Sequence, residues 1–163
     1  MGITIHFSGK LRSMHDQPKV FRIVQAYAQE NGWEVRAVED PEGALYFMRN
    51  GVVEPYEGPV SGWVVEAHPA CEPLFLLFDL EGHVQQSLKT QHAPREVHVQ
   101  FVRLLASMAQ LFSAWEVRDE GGYWETRDER LLQDRLDRLA QLNSALPALA
   151  GPLPHPPSGP ELN

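Results

Sequence analysis

Ile3-Thr4-Ile5-His6-Phe7-Ser8 is the stretch on which the fold turns. Apolar and polar residues alternate through it, the period of a strand with one face buried and one in water. Such half-buried strands belong to antiparallel sheets, because parallel sheets are covered on both faces and read as unbroken apolar runs. The fold class read from it is α+β: a mainly antiparallel sheet of about five to seven strands, with two or three helices packed largely on one face.

Working outward, Gly9 and the polar run Arg12-Ser13-Met14-His15 break the strand. Asp16 is placed to cap a helix whose first turn holds Pro18, tolerated there because its missing N–H would be free anyway. Val20, Phe21, Ile23, Val24, Tyr27 and Ala28 come next at helical spacing, and Asn31-Gly32 supplies a left-handed stop. Trp33, Val35 and Ala37 suggest a second strand, and a helix between two strands is compatible with a crossover to a parallel neighbour.

The middle of the chain reads as antiparallel. Leu45-Tyr46-Phe47-Met48 is a short apolar run ending at the turn dipeptide Asn50-Gly51, and Pro55, Gly58 and Pro59 punctuate the next stretch. Gly62 to His68 and Leu74 to Phe78 are expected strands. Asp79-Leu80-Glu81-Gly82 is an expected turn that sends His83 to Leu88 back as another strand. Pro94 opens the strongest helix, over 94–113, with Val97, Phe101, Leu104, Leu105, Met108, Leu111 and Phe112 on one stripe. Glu116 to Glu125 is expected to form a hairpin around Gly121-Gly122, with Trp115, Val117 and Trp124 on one face. Thr126 and Glu129 have capping-box spacing and start a helix over 127–145. The six prolines of 147–163 mark a composition that cannot order itself unaided, so the domain is expected to span 1–146 and a disordered tail 147–163.

The chain has 163 residues, 43% of them hydrophobic and 22% charged, which is ordinary single-domain material. Its net charge of −8 makes an acidic protein and argues against a nucleic-acid partner, since binding phosphates needs a basic stripe. Cys71 is the lone cysteine, which excludes an internal disulfide framework and a multi-cysteine zinc site. No apolar run approaches the length of a membrane span, so no membrane association and a cytoplasmic location are expected. No phosphate loop, dinucleotide fingerprint, metalloprotease helix or nucleophile elbow is present, and no cofactor or metal is expected.

Three polar clusters remain as candidates for a ligand site. The first is His68-Pro69-Ala70-Cys71-Glu72-Pro73, where a histidine three residues from a thiol has the elements of a metal site or an activated nucleophile. A buried, inert Cys71 accounts for the same residues. The second is Lys89-Thr90-Gln91-His92 with His98 one turn into the long helix, a segment suited to a carboxylate or phosphate at a helix N-terminus. A polar loop with a core-edge histidine fits equally. The third is Asp119-Glu120-Gly121-Gly122-Tyr123-Trp124-Glu125, whose aromatics and carboxylates suit sugar stacking or acid–base work. Turn chemistry explains its glycines without a ligand. Candidate ligand-binding residues are therefore His68, Cys71, Glu72, Lys89, Thr90, Gln91, His98, Glu120, Tyr123 and Glu125.

Several of these strings carry a resemblance. Gly2-Ile3-Thr4-Ile5-His6-Phe7 with Gly9-Lys10, Cys71-Glu72-Pro73-Leu74, Phe78-Asp79 with Gly82, Lys89-Thr90-Gln91, His98, and Asp119 through Thr126 with Asp128 are together similar to a family of small bacterial proteins with no established activity. The similarity covers most of 1–140, and its most specific string is GGYWET. It implies a shared fold and a bacterial cytosolic setting, and no function.

The leading functional expectation is a non-catalytic module that binds a small ligand or a protein through the three loops, since no catalytic pair is fixed by a motif. The alternative is a hydrolase-type enzyme that uses His68, Cys71 and His98 around a metal, or Cys71 activated by a histidine. A homodimer through the last helix or an exposed strand edge suits either reading.

Overall fold

A computed structural model describes residues 2–149. In chain order the elements are β1 (Thr4–Leu11), α1 (Gln17–Asn31), β2 (Glu34–Arg49), β3 (Val52–Glu66), β4 (Leu74–Phe78), β5 (His83–Lys89), α2 (Arg95–Met108), β6 (Phe112–Asp119), α3 (Tyr123–Thr126) and α4 (Glu129–Leu149). The α+β class holds, and every ladder is antiparallel. Among the described residues, no helix is long and apolar enough to cross a membrane.

The N-terminal alternation is the central strand of a sheet ordered β5-β1-β6. Ile5 and Phe7 are buried while His6 and Ser8 keep part of their surface. A second three-stranded sheet is ordered β2-β3-β4, so the strands form two sheets where one was expected. The β4–β5 turn joins them: the Asp79 carboxylate accepts from the N–H groups of Glu81 and His83, both at 2.9 Å, and the two strands leave this clasp into different sheets. The parallel crossover is not realised either, because α1 connects strands of different sheets.

One core joins the layers, with Ile5 and Leu88 from the first sheet, Val65 and Phe78 from the second, and Val24, Phe101 and Leu132 from the helices. Each such side chain contributes about 1.5–3 kcal/mol on burial. An aromatic chain runs across the core from Phe21 through Trp63, Phe78, Phe112 and Trp115 to Phe7, with neighbouring ring centroids between 4.3 and 6.5 Å apart. Leu132, Leu136 and Leu139 seat α4 in this same core against α2.

Three local expectations are corrected. Strand character does not stop near residue 38 or at Pro55 and Pro59: β2 and β3 form one long hairpin about Asn50-Gly51. The prolines are tolerated because β4 pairs only with Ser61 to Val65, which leaves the outer half of β3 with a free edge. The second arm of the hairpin expected over 116–125 is instead α3. Asp119 takes the N–H of Gly121 at 2.7 Å and of Trp124 at 3.0 Å and so winds the chain into a turn of helix. Finally, α4 is capped by Asp128, whose Oδ1 accepts from Arg130 and Leu131, while Thr126 bonds the Gly122 carbonyl. The helix also runs on through Leu149, and the rest of the expected tail lies outside the described residues.

The long hairpin shifts register between Asp40 and Gly43, and beyond that bulge it builds a small core of its own from Leu45, Phe47 and Val60 with Tyr56 and Leu77 beside them. The Gln85 side chain ties this arm to the first sheet. Its amide accepts from Met48 N–H and donates to the Met48 carbonyl at 3.1 Å, imitating a strand pair. Gly62 permits the inner half of the ladder: its φ is +153°, and a Cβ there would overlap the Leu76 carbonyl oxygen.

Candidate functional site

The three sequence clusters meet at one end of β1, but through internal bonds. Thr90 Oγ1 lies 2.6 Å from His98 Nδ1, and His98 Nε2 lies 3.0 Å from Asp119 Oδ2. A carboxylate only accepts, so Nε2 carries a proton toward Asp119, and in the neutral ring Nδ1 accepts from the Thr90 hydroxyl. This is the order hydroxyl–imidazole–carboxylate that nucleophilic catalysis uses. However, Thr90 is 1% exposed, His98 0% and Asp119 6%, so the hydroxyl has no path to a substrate. Burial raises the Asp119 carboxyl, but the hydrogen bond from His98, its charge when the ring is protonated, and the N–H groups of Trp124 and Gly121 outweigh it and hold the carboxyl below its ordinary range.

The neighbouring groups are spent on backbone. Gln91 Oε1 accepts from Ile3 N–H at 2.7 Å, and Glu120 Oε2 from Thr4 N–H at 2.8 Å. Desolvation pushes the Glu120 carboxyl up, while bonds from His6 and Thr4 bring it below its usual value. Glu72 Oε2 accepts from Lys89 N–H at 2.9 Å, and the Cys71 thiol faces the carbonyls of Glu72 and Lys89 at 3.3 and 3.4 Å. Burial first, and the Glu72 charge second, push this thiol up to about 11. That leaves almost no thiolate near neutral pH.

His68 and Cys71 do share a cleft of about 550 Å³ with Glu34 and Glu66, but Lys89, His98 and Glu125 do not line it. His68 Nδ1 accepts from Ala70 N–H at 3.0 Å, both ring nitrogens of His98 are already bonded, and the hydrogen-bond partners of the thiol are the two carbonyls. Among the described residues, no three of His, Cys, Asp and Glu gather at metal-holding distance. Tyr123 is buried with the Arg127 guanidinium 5.9 Å from its ring, and Glu125 is exposed on α3.

A different concavity lies over the sheet β5-β1-β6, and its lining residues, Trp124 apart, belong to none of the three sequence clusters. It is a cleft of about 930 Å³ walled by Met48 of the hairpin arm and by Trp124, with His6, Ser87, Glu116 and Arg118 among its lining. Register explains the set: His6 stands opposite both Ser87 and Arg118, and Ser8 opposite Glu116. Among the described residues, Arg118 and Glu116 have no ion pair, and the buried indole N–H of Trp115, also in this wall, has no acceptor. The only signal in the sequence was polar alternation in three separate strands. The volume falls within the usual range for ligand pockets.

The fold and site thus define an α+β protein of two three-stranded antiparallel sheets with a polar cleft on one of them. No family model, curated protein or solved structure matches the chain.

Proposed function

We propose that this chain is a non-catalytic binding module that takes a small zwitterionic ligand into the cleft over β5-β1-β6. The observation that carries this reading is the contrast between two sets of polar groups. Those of the three loops are spent in internal hydrogen bonds, whereas Arg118 and Glu116 line an open cleft with no ion-pair partner among the described residues. A cation and a carboxylate two residues apart on one strand face suit a ligand carrying both charges. Trp124 offers an aromatic wall, stiffened by the Arg127 guanidinium 4.9 Å from its ring. The raised thiol of Cys71 weighs against the thiol-enzyme alternative.

The lone free cysteine suits a reducing cytosol. The bacterial setting rests on the resemblance of the Cys71-Glu72-Pro73-Leu74 and Gly121-Gly122-Tyr123-Trp124 strings. A panel of free amino acids and dipeptides, screened by thermal shift and then by calorimetry, tests the reading. Saturable binding that is lost in both Arg118→Ala and Glu116→Gln is the expected result. A panel without a binder, or a binder indifferent to both substitutions, overturns it.

A further inference from the structure

The outer edge of β2 is the longest free strand edge in the second sheet: β2 lies at the end of the order β2-β3-β4, and 34–40 pair only with β3. A row of unpaired backbone N–H and C=O groups is a template for another strand. We infer that the occupant of this edge is a second copy of the chain, with β2 pairing to its two-fold mate antiparallel about Val38. This pairing is independent of any ligand in the cleft.

Register, charge and the length of strand available to pair together single out that centre. Two identical strands related by a two-fold axis must pair residues of like parity, because that alone brings outward-pointing backbone groups together and keeps side-chain faces matched. The candidate centres are therefore single residues. Centring on Arg36 sets Arg36 against its own copy. Centring on Ala37 sets Glu34 against Asp40 of the second copy, twice. Centring on Glu39 sets that carboxylate against itself. Like charges directly opposite each other are destabilising in all three, and centring on Glu34 or Asp40 likewise sets a carboxylate against itself. Centring on Val35 opposes Glu34 to Arg36 at both ends, but β2 begins at Glu34, so only 34–36 of the strand could pair in that register.

Centring on Val38 sets Val38 against Val38 and places Arg36 opposite Asp40 at both ends. Arg36, Val38 and Asp40 share one face of β2, and their charges are self-complementary about Val38. The side chains are in place to serve it: Arg36 and Asp40 are exposed, Val38 is half-exposed, and Arg36 has no ion pair among the described residues. The Asp40 Oδ1 atom is occupied by Glu42 N–H at 3.0 Å, which leaves Oδ2 for the arginine of the second copy. Glu34 would meet Glu42, but the ladder loses its register after Asp40, so Glu42 stands outside the regular pairing. The product is a continuous six-stranded antiparallel sheet, and the bulge at 40–43 stops the pairing from running on along the arm.

Sedimentation equilibrium on the full chain and three variants tests this. Wild type is expected to be a dimer of the 18.4 kDa chain. Arg36→Glu and Asp40→Arg alone should each raise the dimer Kd about ten-fold or more, since each puts like charges opposite at both ends. The double variant Arg36→Glu/Asp40→Arg should restore the dimer. Far-ultraviolet circular dichroism checks that these exposed substitutions leave the fold intact. A monomeric wild type, a dimer insensitive to the single reversals, or a folded double variant that stays monomeric overturns the proposal.

Discussion

Replacing Asp119 with alanine tests whether the buried relay holds the C-terminal half of the molecule to β1. The carboxylate, 6% exposed, accepts from His98, Gly121 and Trp124, and its strand pairs with β1 at Ile5. Alanine removes the acceptor for three donors and leaves His98, itself fully buried, with an unpaired ring nitrogen. Breaking a buried pair by deleting one partner costs about 3–5 kcal/mol, a large share of the roughly 5–15 kcal/mol that holds a domain together. For a domain of this size that lowers the melting temperature by roughly 6–20 °C. The pH dependence carries a definite sign. The folded carboxyl titrates below its ordinary range, so its contribution is complete above about pH 4 and is lost as pH falls through the lowered value. Urea midpoints of wild type and Asp119→Ala should therefore stand apart at neutral pH and converge in acid. A difference below about 1 kcal/mol at neutral pH, or one that stays constant into acid, would refute the reasoning.

Cys71 should label slowly with iodoacetamide in the native protein, with a rate that climbs toward pH 11 and jumps on unfolding; fast labelling at neutral pH contradicts the raised thiol. Gln85→Ala should free the hairpin arm, seen as faster amide exchange over 44–56, with a global loss of only about 1–2 kcal/mol. Unchanged exchange there would mean that the small core of Leu45, Phe47 and Val60 holds the arm by itself. Gly62→Ala should cost at least about 2 kcal/mol in chemical denaturation, because the new Cβ meets the Leu76 carbonyl at a positive φ. A neutral effect would show that β4 can shift away.

Local chemistry was enough to read β1, α1, the Asn50-Gly51 turn, the Asp79 to Gly82 turn and α2 as far as Met108, since periodicity and turn residues act over a few positions. The helix expected through 113 stops short because Phe112 pairs with Leu11 and opens β6. Even the three clusters were visible as strings. Their meaning was not, because Thr90, His98 and Asp119 come from three separate segments and meet only through tertiary hydrogen bonds, which leave no mark on spacing. For the same reason the hairpin expected at 116–125 failed: the glycines announce a turn, but only the capture of Gly121 and Trp124 by Asp119 decides that a helix comes after it. The split into two sheets and the cleft of His6, Glu116 and Arg118 are decided by strand pairing between distant segments. Alternation determines which side chains share a face of one strand; which strands then lie side by side is settled only when the whole core closes.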